Sequence, residues 1–177
     1  MTLSSAQLLV SVSGQFACIK IVGRANFTSS IEFKALVNEL MEKEFTCFRL
    51  DLSECTLMDS TFLGVLAGFG LKMSGASGDQ RNWRSIELLD PNPRISELLE
   101  NLGVAHLFKV VNEDTALPKE VAAHALPETA DPTRDEVKRT CLEAHETLMK
   151  IDPANIPKFK EVAQFLADEL KKPKKEP

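Results

Sequence analysis

Phe48-Arg-Leu-Asp-Leu-Ser-Glu-Cys-Thr-Leu-Met-Asp59-Ser60-Thr61-Phe62-Leu63-Gly64-Val65-Leu66 is the stretch that decides the fold of this chain. Its first part has the mixed apolar character of a central strand with both faces covered. A short turn follows. From Ser60 onward, Leu63, Val65, Leu66, Phe69 and Leu71 predict a helix. Asp-Ser-Thr at that helix start is an ordinary capping combination, and composition alone favours Ser60 as a cap. A hydroxyl there has a second use. A phosphate at a helix N-terminus meets free backbone N–H groups and the positive end of the helix dipole. Gly64, Gly68 and Gly70 lie inside the predicted helix. Each lowers helix propensity by up to about 1 kcal/mol relative to Ala, so the cluster predicts close approach of this helix to the sheet.

Upstream, Leu8–Val12 and Phe16–Val22 are apolar, β-branched runs around Ser13-Gly14-Gln15, which predicts a hairpin closed by Gly23. Arg24–Thr28 reads as a loop. Ser29 or Ser30 is a capping candidate for a helix from Ile31 to about Glu44, with Ile31, Leu36, Val37, Leu40 and Met41 on one face. Thr46–Leu52 is the next strand. Downstream, Ser74–Asp79 reads as a loop and Arg84–Leu89 as a strand ended by Asp90-Pro-Asn-Pro93. Ile95, Leu98, Leu99 and Leu102 mark a short helix before Gly103, and Leu107–Val111 a last strand. This alternation predicts an α/β domain with a mixed sheet over residues 5–113.

Residues 114–132 lack a period and read as a linker. In residues 133–171, Val137, Cys141, Ala144 and Leu148 form one stripe. Phe159, Val162, Ala163, Leu166 and Leu170 form another, across a turn at Asp152–Pro157. These predict a C-terminal helical hairpin that packs on the core or on a second copy, giving a homodimer. Residues 172–177 read as a disordered Lys/Pro tail.

The net charge is −5, which argues against direct nucleic-acid binding, since that needs clustered Lys and Arg. Residues 131–177 hold 10 Lys/Arg and 10 Asp/Glu, so the N-terminal part carries the whole excess. Cys18, Cys47, Cys55 and Cys141 show no C-x-x-C or metal spacing and read as reduced thiols of a cytoplasmic protein. No secretory signal and no membrane span is expected.

Competing sites are weak. His145-Glu146 opens like H-E-x-x-H, but position 149 is Met, so no metal is expected. His106 and His124 have no partner at useful spacing. Gly75-Ala-Ser-Gly78 follows a helix and precedes a strand, the reverse of a phosphate cradle. Glu32, Glu39, Glu42 and Glu44 fall on a solvated helix face. No nucleophile stands beside a base and no cofactor motif appears, so no enzyme is expected.

The strand Phe48–Ser53 followed by Met58-Asp59-Ser60-Thr61-Phe62-Leu63-Gly64-Val65-Leu66 resembles the STAS family, which includes bacterial anti-sigma factor antagonists. Gly23-Arg24-Ala25-Asn26-Phe27 resembles an earlier family loop, and the order of elements agrees over about residues 8–112. The resemblance implies a mixed four- to five-stranded sheet with helices mainly on one face. It places Ser60 on the serine phosphorylated in the family. There the kinase is a histidine-kinase-like ATPase that is itself the anti-sigma factor. The unphosphorylated antagonist binds it, the phosphorylated form lets go, and a phosphatase resets the cycle. The implied partner surface is Arg24, Asn26, Phe27, Asp59, Ser60, Thr61 and Phe62. Phe62 departs from the family pattern, which has glycine there. The other reading is a constitutive scaffold, such as a small subunit on a transporter's ATPase, with Ser60 only a cap.

Overall fold

The computed structural model describes residues 5–75, 86–112, 124–125 and 131–173. Strands β1 (Gln7–Ser13) and β2 (Phe16–Ala25) form the expected antiparallel hairpin, with Ser13 opposite Phe16. Strand β3 (Cys47–Asp51) runs parallel to β2, β5 (Ile86–Leu89) parallel to β3, and β6 (Phe108–Val111) parallel to β5. The short β7 (His124–Ala125) pairs with β1. The order β6-β5-β3-β2-β1-β7 places β3 centrally, and β4 (Cys55–Met58) adds to the end of β2. The sheet is thus mixed and seven-stranded, wider than the four or five strands expected.

Strand parity sorts the two faces. Val10, Ile19, Leu50 and Leu88 stand in one paired row, with Ala17, Phe48 and Ile86 in the next, and all are buried. Cys18, Arg49 and Glu87 share a row on the opposite face. There Arg49 donates from Nε and Nη2 to Glu87, at 2.9 and 2.7 Å, and lies over the Phe16 ring. Helices α1 (Phe27–Glu42) and α2 (Ser60–Gly75) pack together through aromatic rings. Phe33 lies 4.8 Å from Phe62 and 6.1 Å from Phe69. Helix α3 (Pro93–Asn101) is capped by Asn92, whose side chain also donates to the Cys55 carbonyl, at 3.0 Å.

Helices α4 (Arg134–Ile151) and α5 (Ile156–Lys171) form the C-terminal hairpin. Thr133 and Glu136 build a reciprocal capping box at its start. Helix α4 crosses α2 and touches α1. Leu148, fully buried, joins the main core. The turn is fastened by the buried Asn155, whose Nδ2 donates to the Leu102 and Leu148 carbonyls, each at 2.9 Å. Most of the linker expected at residues 114–132, the tail residues 174–177 and most of the loop after Gly75 lie outside the described residues.

Four expectations need correction. Arg24–Thr28 is not a loop, because β2 runs through Ala25 and α1 begins at Phe27. The cap of α1 is Asn26, not Ser29 or Ser30. Its side chain accepts from the Thr28 and Ser29 amides, at 3.1 Å each, while Ser29 Oγ accepts from the Asn26 amide. The turn before Ser60 contains β4. Gly23, at φ +96°, takes the left-handed conformation at the register shift where β2 turns to pair with β4.

The fourth correction concerns Gly64, while Gly70 does approach the sheet, at Phe108 of β6. A Cβ on Gly64 would lie 2.5 Å from the Ala144 carbonyl oxygen, so it is α4, not the sheet, that comes close. A Cβ on Gly70 would meet the Leu107 and Phe108 side chains at 3.2 Å. Gly68 has room, with nothing nearer than Thr147 at 3.8 Å. Substituting Gly64→Ala therefore has to move backbone, and urea unfolding should show a loss of roughly 1–3 kcal/mol. Gly68→Ala should be neutral or stabilising by up to about 1 kcal/mol. Equal stability of the two variants would contradict this close crossing.

Candidate functional site

Strands β2 and β4 run parallel, and each ends at the start of a helix. The carboxyl ends of adjacent parallel strands are where open α/β sheets place their sites. The Asp59 amide donates to the Ala25 carbonyl, at 2.9 Å, and this holds the two strand ends together. The first turns of α1 and α2 consequently lie side by side.

One carboxylate joins them. Asp59 Oδ1 accepts from the Phe62 amide at 2.8 Å, in the first turn of its own helix. Its Oδ2 accepts from the Phe27 amide at 2.7 Å, at the start of α1. Asp59 is therefore the cap of α2, and Ser60 is the first helical residue after it. Burial raises the Asp59 pKa above the ordinary carboxylate value. The amides of Phe62, Phe27 and Thr61, and the nearby His145, pull it the other way.

Ser60 is half-buried. Its Oγ lies 3.0 Å from His145 Nε2 on α4, 85 positions later in the chain. His145 is 6% exposed and stacks on Phe159 of α5, with ring centroids 4.8 Å apart. Burial pushes its pKa below the ordinary histidine value, so it is held neutral. The Cys141 backbone and the Asp59 charge oppose that shift. Nδ1 is buried and makes no well-formed hydrogen bond among the described residues. In the tautomer that carries its proton on Nδ1, the imidazole accepts from the Ser60 hydroxyl; in the other it donates to it. Thr61 Oγ1 donates to Cys141 Sγ at 3.6 Å, so α4 touches two consecutive residues at the start of α2.

The expected surface residues divide by burial. Arg24 and Phe27 are exposed, while Asn26, Asp59 and Ser60 are half-buried. Thr61 and Phe62 are buried, and Phe62 packs inward on Phe33. Leu57, 44% exposed and paired with Arg24 across β4 and β2, joins Phe27 on the surface. Sequence reasoning missed Leu57 because it read that segment as turn. It weighed His145 only as a failed zinc ligand. No local pattern announces a partner 85 residues away, although His145 adjoins the Ala144 stripe that marks the buried face of α4. Among the described residues, no three His, Cys, Asp or Glu side chains cluster to hold a metal. No described helix is long and apolar enough to cross a membrane.

The STAS domain model matches residues 7–115, and the chain belongs to the STAS domain family. Two solved structures share the fold. One is the anti-sigma factor antagonist SpoIIAA in its unphosphorylated form, at 15% identity and TM-score 0.51, over 60% of this chain and 90% of that one. The other is an anti-sigma factor antagonist from Mycobacterium paratuberculosis, at 13% identity and TM-score 0.50, over 60% of this chain and 85% of that one. No curated protein matches the chain.

Two measurements test the site's energetics. Asp59→Ala removes the acceptor for two helix starts and should cost about 2 kcal/mol in chemical denaturation, about 1 for each cap. Asp59→Asn keeps one acceptor oxygen and should cost about half of that. His145 binds its proton less readily in the folded state than in the unfolded chain. Above the ordinary histidine value of 6.5 both states are neutral, and this group gives stability no pH dependence. As pH falls below 6.5 the unfolded chain protonates first, so Tm should drop until the folded pKa is passed. His145→Gln should flatten that part of the Tm profile, and an unchanged slope would contradict the assignment.

Proposed function

We propose that the chain is a non-enzymatic STAS binding module of the anti-sigma factor antagonist type, controlled by phosphate on Ser60. The observation that carries this is the division of labour at the start of α2. Asp59 makes the capping bonds, at 2.8 and 2.7 Å, so the Ser60 hydroxyl is not needed to hold the helix. A phosphate there adds a charge of about −1.5 to −2 while leaving the cap intact. The Asp59 carboxylate beside it increases the repulsion of an acidic partner surface. Exposed Phe27 and Leu57, with Arg24 near the end of β2, supply the apolar and charged contacts for docking. The partner in this reading is a histidine-kinase-like ATPase acting as serine kinase and anti-sigma factor in the cytoplasm of a bacterium. A phosphatase reverses the modification, and the output is transcriptional.

A second reading has its own support. The Ser60–His145 hydrogen bond and the Gly64–Ala144 crossing make the start of α2 a seat for the C-terminal hairpin. In that case the hydroxyl is a peg, and the module is a constitutive scaffold.

Incubating the protein with candidate ATPases and ATP, then mapping phosphate by mass spectrometry, separates the two. The switch reading expects one phosphate, on Ser60, absent from Ser60→Ala. It also expects loss of ATPase binding in Ser60→Glu. Phosphate elsewhere, or a Ser60→Glu variant that binds as the wild type does, would leave the scaffold.

A further inference from the structure

Ser60 and His145 bring a nucleophilic hydroxyl within hydrogen-bond reach of an imidazole. The hydroxyl projects from the first residue of α2, after a strand and a one-residue turn. The imidazole is brought by α4, whose path is fixed at three points: the Gly64–Ala144 crossing, the Thr61–Cys141 contact and the Asn155–Leu102 bond. Phe159 holds the ring from the α5 side. A base needs to lie within hydrogen-bond reach of the proton it removes, and 3.0 Å satisfies that.

We propose that His145 is the general base that takes the Ser60 proton when this hydroxyl attacks phosphorus, so that the acceptor chain supplies its own base. This deepens the reading of Ser60 as a phosphorylation site and rests on it. In the step, Ser60 Oγ attacks the γ-phosphorus of a nucleoside triphosphate held by the partner. The new Oγ–P bond forms as the bond from γ-phosphorus to the β,γ-bridging oxygen breaks. The nucleoside diphosphate leaves with that electron pair. The Ser60 proton passes to Nε2 and from there to solvent.

The surroundings suit both states of the base. Burial among α2, α4 and Phe159 keeps the resting imidazole neutral and able to accept. Once protonated, it faces the Asp59 carboxylate at the start of α2 and the Cys141 backbone one turn earlier on α4. Both stabilise the cation. Asp59 is the charged group that acts on it, and the Cys141 thiol, which accepts from Thr61, is pushed up by burial and stays neutral. No described carboxylate is bonded to Nδ1. This is consistent with a group that assists transfer to an acceptor once per cycle, instead of turning over a substrate.

An alkyl fluorophosphonate tests the base without needing the kinase. It reacts by forming Oγ–P and releasing fluoride, and the site of attachment is read by mass spectrometry. The full-length protein should be labelled at Ser60, and Ser60→Ala should not. The labelling rate should fall as pH drops through the His145 titration. His145→Gln can still accept a hydrogen bond from Ser60 but cannot take its proton. It should fold, keep amide-exchange protection in α4, slow labelling about a hundredfold and lose the pH profile. Labelling of His145→Gln at the wild-type rate with the wild-type profile would overturn the proposal. So would a wild-type Ser60 no more reactive than the protein's other hydroxyls. The two readings fail separately. Ser60 that takes the probe but no phosphate from any ATPase removes the phosphorylation reading and leaves the dyad. Ser60 that takes phosphate equally well in His145→Gln removes only the base.

Discussion

The Asp59 carboxylate is the constraint on which the architecture of the site depends. Two helices begin side by side at the ends of β2 and β4, and their N-termini carry like partial charges. A single half-buried carboxylate accepts the amides of Phe27 and Phe62 and answers both. Without it the two helix starts would repel and each would leave an orphan donor. Burial makes the charge costly, as the raised Asp59 pKa records, and the converging amides are what keep it in place.

Because Asp59 satisfies the cap, Ser60 is released for other contacts. Helix α4 uses that freedom. Gly64 lets the Ala144 backbone approach, and this sets the height at which His145 meets the hydroxyl. The aromatic packing beneath serves the same end. Phe62 fills the space beside Phe33 and is a core position. Burying one such ring contributes about 1.5–3 kcal/mol, enough to fix the first turn of α2 firmly. A well-fixed first turn in turn makes a 3.0 Å contact to a distant helix meaningful.

Much of this was legible in the chain. The strand–turn–helix at Phe48–Leu66 and the hairpin around Gly14 follow from period and turn chemistry, which are local. So do the short helix marked by Ile95, Leu98, Leu99 and Leu102 and the two stripes of the hairpin. The errors were also local in origin. Ser29 and Ser30 have the right chemistry for a cap, but Asn26 stands where the strand ends and takes the role first. The segment Cys55–Met58 is too short to announce itself as a strand until β2 is there to pair with it.

What the sequence determined was the order of elements and the presence of a polar Asp-Ser-Thr at a helix start, because capping and periodicity act over a few residues. It also determined membership of the STAS family, through one motif and its neighbours. What only the tertiary structure decided was which residue caps, what the α2 glycines face, and what Ser60 touches. Those answers depend on how β2 and β4 align their ends and on where α4 crosses, contacts between segments up to 85 residues apart. No periodicity within either segment encodes them. They arise when packing brings the two surfaces to a common distance.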